Sequence, residues 1–146
     1  REFSVASTKA FVCQVTVMTL IAIWFAQNKN FNATKKMRAS IINELKMLSA
    51  NMKKTLESIN EKSQEIVEQI KGARHIFFCG EGLADCIAKE GALKMKELTY
   101  LHCQSLNLGN ISNNFYTYLK KHPKTPIIFI ILDSQKKKIN MIEQIE

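Results

Sequence analysis

The hydrophobic pattern of the first half of the chain changes once. A nearly continuous apolar run covers residues 10–25, and Ser7 or Thr8 in front of it can cap a helix over about 9–27. The polar segment 28–34 is then predicted to be a turn. Beyond it, apolar residues recur at three- and four-residue spacing with Lys and Glu between them, which predicts amphipathic helices arranged as a hairpin.

In the second half of the chain, the period becomes strand-like. The short apolar run 75–79 ends at Gly80-Glu81-Gly82, which predicts a buried strand that turns tightly into a helix. Further strands are predicted around 102–108 and over 126–132, the latter continuously apolar as in a parallel sheet. The alternation of strands and helices predicts an α/β fold, with a doubly wound parallel sheet flanked by helices.

Composition and charge indicate which classes of binding partner to expect. The chain has 146 residues, of which 46% are hydrophobic, and these are ample for a core of this size. Its net charge is +8, but the lysines are spread along the chain without an aromatic-interleaved basic motif, so no nucleic-acid partner is expected. The positive charge favours anionic substrates such as sugar phosphates.

The apolar run 10–25 resembles a membrane span in composition. It is shorter than the ~20 residues needed to cross the hydrocarbon core of a bilayer, and it contains Gln14, Thr16 and Thr19. We therefore expect a buried helix and no membrane partner.

The four cysteines are predicted to be structural. Cys13, Cys79, Cys86 and Cys103 have separations that match no zinc template, and each lies among apolar residues or in a strand-like run. Buried free thiols in a reducing compartment are expected. No metal site and no cofactor are predicted.

One charged row carries candidate chemistry. On a helix, Glu90, Lys94 and Glu97 lie along one face at spacings of four and seven residues, and we call these three residues the charged row. Two carboxylates and an ammonium in line can exchange protons with a bound molecule once burial and the Lys tune their pKa. From spacing alone, a solvated and salt-bridged helix face is the more common explanation.

Two motifs resemble a known family. They are Ser4-Val5-Ala6-Ser7-Thr8-Lys9-Ala10-Phe11 and Glu90-Gly91-Ala92-Leu93-Lys94-Met95-Lys96-Glu97-Leu98-Thr99-Tyr100-Leu101-His102. These motifs and their separation are similar to the isomerase half of glucosamine-6-phosphate synthases, the isomerizing glutamine:fructose-6-phosphate aminotransferases. The resemblance implies that residues 1–30 end a first sugar isomerase (SIS) domain. Residues 31–146 would then form most of a second SIS domain, a flavodoxin-like three-layer sandwich that is incomplete at its C-terminus.

The resemblance also implies an activity and a set of site residues. The chain would be a fragment of an enzyme that makes glucosamine 6-phosphate from fructose 6-phosphate and glutamine-derived ammonia. Glu97 would be the base that moves a proton between C1 and C2 of the sugar. Lys94 would steer the C1 oxygen and stabilise charge on the enediol, and Glu90 would orient Lys94. The Val5 backbone and Ser7 would bind the sugar, and Ser7 would also cap a helix.

Partners follow from the same resemblance. The family is a homodimer, and its cytoplasmic location is expected for this chain. The family's glutaminase domain and the front of its first SIS domain lie outside these 146 residues. The resemblance therefore implies that the isolated fragment lacks a complete site.

The chain departs from the family pattern after the second predicted strand. Where the family has Gly-Glu-Leu-Lys-His-Gly-Pro, the chain reads Gly109-Asn110-Ile111-Ser112-Asn113-Asn114-Phe115. Asn113 replaces the ring-opening His and Ser112 replaces Lys, and Asn cannot exchange a proton near neutral pH. A non-catalytic SIS module that binds sugar phosphate or mediates dimerisation is the alternative hypothesis.

Overall fold

The computed structural model describes residues 6–110 and 113–138, which divide into two units between Val67 and Glu68. The first unit contains α1 and most of α2, and the second contains a sheet with its helices. The elements are α1 (Lys9–Lys29), α2 (Phe31–Ile70), β1 (His75–Gly80), α3 (Leu83–Thr99), β2 (His102–Asn107), α4 (Asn113–Lys121) and β3 (Ile127–Phe129). Short 3-10 helices follow β2 over Leu108–Asn110 and β3 over Asp133–Lys138.

The helical half of the chain is more continuous than its sequence pattern predicted. Only Asn30 separates α1 from α2, and α2 is a single helix of 40 residues. The predicted turn over 28–34 and the predicted helical hairpin are therefore wrong. No glycine or proline occurs between Phe31 and Ile70, so the sequence contains no residue that strongly breaks the helix.

α1 begins as predicted but is not buried. The backbone N–H of Ala10 donates to Ser7 Oγ at 3.3 Å, so Ser7 provides the predicted cap. No residue of α1 is buried, and Trp24 is 60% exposed, so the prediction of a buried helix is wrong. Its 21 residues, with a mean hydropathy of 1.8 in the most apolar window, are long and apolar enough to cross a membrane, contrary to the expectation that the run is too short. A signal sequence or a helix covered by other protein meets the same criteria.

A buried arginine ties α1 to α2. Arg38 Nη1 donates to Thr34 Oγ1 at 3.0 Å, Nη2 donates to the Phe31 carbonyl at 3.1 Å, and the guanidinium lies 4.7 Å from the centroid of the Phe31 ring. The Thr34 hydroxyl donates to the carbonyl of Ala26 in α1 at 3.2 Å. Polar contacts therefore hold the junction of the two helices.

The second unit confirms the predicted α/β fold. Its sheet has the order β2-β1-β3, and both strand pairs are parallel. β1 and β2 match the predicted segments, whereas β3 is shorter than the predicted 126–132. Successive side chains of β1 point to opposite faces. Phe78 contacts α3 at Gly91, and Phe77 packs against Phe115 and Tyr118 of α4, so helices cover both faces of the sheet.

The core of this unit lies between the sheet and α3. Its buried members are Ile76, Phe78, Ala88, Ala92 and Cys103. Of the four cysteines, all free, Cys79 and Cys103 are buried as predicted but Cys13 and Cys86 are exposed, which corrects the expectation for those two. Burial raises the pKa of Cys79 to about 11, so this thiol carries its proton at neutral pH.

Candidate functional site

The charged row is carried by α3, and two glycines set the start of this helix. A Cβ at Gly80 would overlap the backbone carbonyl of Ala84, and Gly82 has φ +60°. These positions let the chain pass from β1 into α3 within two residues, as the sequence predicted. Three alanines at four-residue spacing then bury one side of the helix, namely Ala84, Ala88 and Ala92. Their burial fixes which face of α3 turns away from the core.

The structure joins the three side chains of the charged row. Lys94 Nζ donates to Glu97 Oε2 at 2.7 Å and lies 3.7 Å from Glu90 Oε1. The side chains of Lys94, Glu90 and Glu97 are 17%, 24% and 27% exposed, so all three are half-buried. One ammonium therefore connects two carboxylates in a partly desolvated setting.

Electrostatics keep Lys94 charged. The hydrogen bond to Glu97 is the main cause that raises the pKa of Lys94, and the negative charges of Glu97 and Glu90 add to it against the effect of desolvation. An ammonium in this position can stabilise negative charge that develops on a nearby oxygen. The adjacent Glu97 carboxylate can accept or release a proton.

Other ion pairs in the second unit differ from the charged row in exposure. Lys89 Nζ donates to Asp85 Oδ2 at 2.8 Å on the same helix; the Asp85 side chain is only 13% exposed, but the Lys89 side chain is 64% exposed. Lys71 and Glu68 lie 3.4 Å apart with side chains 70% and 67% exposed. Each of these pairs has an exposed lysine, so each contributes little to stability. The charged row differs in that its lysine and both of its carboxylates are half-buried.

Exposed apolar residues accompany the charged row. Three exposed apolar residues lie on the same side of α3 as Lys94. Leu83 and Ile87 precede Lys94 by 11 and 7 residues, and Leu98 follows it by 4 residues. They are 75%, 44% and 63% exposed. A large apolar surface around half-buried charges is typical of a face that contacts another molecule or another part of the protein.

The charged row does not lie at the carboxyl edge of the sheet, where ligands of such folds usually bind. α3 starts at that edge, and a rise of about 1.5 Å per residue puts Glu97 roughly 21 Å along the helix axis from Leu83. A ligand that contacts Glu97 must therefore approach the flank of α3 rather than its first turns.

The carboxyl edge itself presents polar side chains that were not among the predicted site residues. Asn107 Oδ1 accepts from the backbone N–H of Gly109 at 2.9 Å. Gln135 Nε2 donates to the carbonyl of Glu81 at 3.1 Å and joins the segments that follow β3 and β1. Glu81 and Asn107 lie at the ends of neighbouring parallel strands, and that position is the signal that could have identified them.

The structure describes the remaining predicted site residues only in part. Ser7 belongs to the first unit, where its hydroxyl caps α1. Val5 and Ser112 lie outside the described residues, and Asn113 begins α4 but its side chain is not among those described. Within 6–110 and 113–138, no group of three or more His, Cys, Asp or Glu side chains is arranged to hold a metal ion.

Comparison with known proteins gives matches that cover between 70% and 99% of this chain. The isomerizing glutamine–fructose-6-phosphate aminotransferase of Fusobacterium nucleatum subsp. nucleatum is 31% identical over 145 residues, which is 99% of this chain and 24% of that protein. The enzyme of the same name from Bacteroides thetaiotaomicron is 37% identical over 103 residues, or 70% of this chain and 16% of that protein. No protein-family model matches.

A solved structure agrees with the sequence matches. The C-terminal domain of glucosamine-fructose-6-phosphate aminotransferase from Francisella tularensis superposes with a TM-score of 0.87 at 30% identity, over 99% of this chain and 40% of that one. The chain thus spans a quarter or less of the length of the curated relatives described above. The resemblance that the two sequence motifs indicated is confirmed at the level of sequence and fold.

Proposed function

We propose that this chain, a homologue of the C-terminal isomerase domain of glutamine–fructose-6-phosphate aminotransferases, is part of an enzyme that makes glucosamine 6-phosphate from fructose 6-phosphate and glutamine-derived ammonia. The observation that carries the proposal is the half-buried charged row, in which Lys94 contacts Glu97 at 2.7 Å and lies 3.7 Å from Glu90. The carboxylates supply acid–base groups, and the ammonium supplies fixed positive charge.

The proposed chemistry is an aldose–ketose isomerisation. Glu97 takes a proton from one of the two carbons C1 and C2 of the sugar and returns it to the other, which is the work of a general base followed by a general acid. Lys94 holds the C1 oxygen and stabilises the negative charge that develops on it in the enediol. Glu90 does not touch the sugar but orients Lys94 from one turn away.

The chain supplies only part of the proposed site. Exposed Leu83, Ile87 and Leu98 beside the charged row favour a cover made by another part of the protein. We propose that the chain works in a longer polypeptide with a glutaminase domain and a complete first SIS domain, and that two copies form a homodimer. The Val5 backbone and Ser7 then contribute to sugar binding. Four free cysteines fit a reducing location, which we propose is the cytoplasm.

Replacement of Glu97 by Gln in the full-length protein tests the proposal. The amide keeps the shape of the side chain and its hydrogen bond to Lys94 but cannot take up a proton near neutral pH. We expect kcat for glucosamine 6-phosphate formation to fall at least about 100-fold, as for loss of a general base. Glu68→Gln is the matched control, because Glu68 also pairs with a Lys three residues away but is exposed. Unchanged turnover in Glu97→Gln would rule out the assigned role.

Isotope exchange separates catalysis from binding alone. With fructose 6-phosphate in D₂O, the proposed enzyme incorporates deuterium at C1, whereas Glu97→Gln does not. Calorimetric binding of fructose 6-phosphate to the unmutated protein without any exchange would instead support a non-catalytic SIS module, the alternative suggested by Asn113 in place of the family His.

A further inference from the structure

Two histidines face each other at the amino edge of the sheet, away from the strand ends considered above. His75 is the first residue of β1 and His102 is the first residue of β2, and the parallel register makes them direct partners. Their Nδ1 atoms are 3.1 Å apart, and their rings meet edge to face with centroids 5.1 Å apart. Both residues are exposed.

The interaction between the two rings depends on whether one of the Nδ1 atoms carries a proton. When one imidazole carries a proton on Nδ1, it donates that proton to the other in an N–H···N hydrogen bond. When neither Nδ1 is protonated, two lone pairs point into the same small space. Neutral imidazole nitrogens in that arrangement are ligands for a single metal ion.

The distance between the two Nδ1 atoms is suitable for two ligands that bind the same metal ion. For metal–nitrogen bonds of about 2.05 Å, nitrogens 3.1 Å apart subtend an angle of about 98° at the metal. That angle lies between the roughly 90° of square-planar and the roughly 109° of tetrahedral coordination. The backbone register of β1 and β2 already places the two rings side by side, so rotation of the rings would turn both Nδ1 atoms toward one ion.

We propose that His75 and His102 form a two-histidine binding site for a late first-row divalent metal ion, with Zn²⁺ as the first candidate. Imidazole ligands suit Zn²⁺, Cu²⁺ and Ni²⁺ and not the hard ion Mg²⁺. Two protein ligands leave further coordination positions for water or a small ligand. His75, but not His102, also borders a cavity of about 650 Å³. This site is independent of the proposed sugar chemistry.

The same cavity provides the control residue. His122 also lines it, but its ring packs against Tyr118 with centroids 4.6 Å apart. His122 is therefore a nearby histidine that, according to the proposal, does not bind the metal ion. Cys13 and Cys86 are exposed thiols that could themselves bind Zn²⁺, so the experiment uses the chain with both replaced by Ser.

Isothermal titration calorimetry with ZnCl₂ tests the site. We expect one Zn²⁺ per chain, a rise in Kd of at least about tenfold in His75→Asn and in His102→Asn, and less than twofold in His122→Asn. MgCl₂ should give no binding heat. Equal Zn²⁺ affinity in the parent and in His75→Asn would overturn the proposal, and so would an equal loss in His122→Asn.

NMR of the unmutated histidine rings decides the matter even if a variant fails to fold. Zn²⁺ is expected to shift the ring resonances of His75 and His102 together at one equivalent and to leave those of His122 in place. Shifts confined to His122, or no ring shifts at saturating Zn²⁺, would also overturn the proposal.

Discussion

The two units of the molecule differ in how they treat apolar side chains. In residues 68–146, Ile76 and Cys79 are fully buried and Cys103 is 1% exposed between parallel strands and α3. In residues 1–67, Trp24 is 60% exposed and Leu56 is 65% exposed, although the helices that carry them are rich in apolar residues. Within the described part of this first unit, the side chain that is buried belongs to a charged residue, Arg38.

The difference shows that apolar content does not by itself make a core. A parallel sheet buries both faces as soon as helices lie against it, and α3 and α4 do so within the second unit. A long helix buries little until another element packs on it, and most helical stability in proteins comes from such packing. We therefore expect residues 68–146 to carry the stability of the chain, and α1 and α2 to contribute less.

Truncation of a core side chain should give the largest effect. We expect Ile76→Ala to lower the free energy of unfolding of the second unit by about 2–5 kcal/mol, because a fully buried side chain is lost and a cavity remains. Leu56→Ala removes a side chain of equal size from an exposed position and should cost less than about 0.5 kcal/mol. Amide hydrogen exchange of β1 and α2 measures both. Equal costs for the two variants would remove the contrast between the units.

The sequence predicted the elements of the second unit better than those of the first unit. β1 was predictable because a short apolar run that ends at glycine is characteristic of a buried parallel strand. β2 matches its predicted segment although most of its residues, His102–Asn107, are polar. The hairpin in the first unit was wrong because apolar spacing shows which face of a helix is apolar but not where the helix ends. The absence of glycine and proline from 31–70 was the better guide.

The candidate site was predictable where it lies on one element. Glu90, Lys94 and Glu97 share one helix, so their spacing alone predicts that they lie together, and the contacts agree. The His75–His102 pair was missed because it depends on the register between two strands, and the two residues are 27 positions apart. Register is set by strand pairing and core burial across the whole unit, so local sequence does not reveal it.

Alkaline pH should weaken the second unit selectively. Burial raises the pKa of Cys79 from 9.0 to about 11, so above pH 9 the unfolded chain releases a proton that the folded chain keeps. The free energy of unfolding is unaffected by this thiol below pH 9 and falls between pH 9 and 11. The total loss is about 3 kcal/mol, at roughly 1.4 kcal/mol per pKa unit. Cys103, whose pKa burial also raises, acts in the same direction.

Urea unfolding from pH 7 to pH 11 measures this loss, with far-UV circular dichroism as the signal. Cys79→Ser removes one titrating thiol and should reduce the pH dependence, leaving the smaller part that Cys103 contributes, whatever the variant does to stability at pH 7. Cys13→Ser is the matched control, since Cys13 is exposed in the first unit and its replacement should leave the dependence unchanged. An unaltered slope in Cys79→Ser would show that another group controls alkaline stability.

The smallest expected effect concerns the polar junction of the first unit. Arg38→Lys keeps the charge but loses the fork that reaches Thr34 and the Phe31 carbonyl, so we expect a local loss of about 1 kcal/mol. Hydrogen exchange should show weaker protection of amides over 26–38 and unchanged protection of β1. Arg74→Lys, at an exposed arginine of the second unit, should change neither. If β1 loses protection together with 26–38, the two units unfold as one and burial within each does not determine its stability separately.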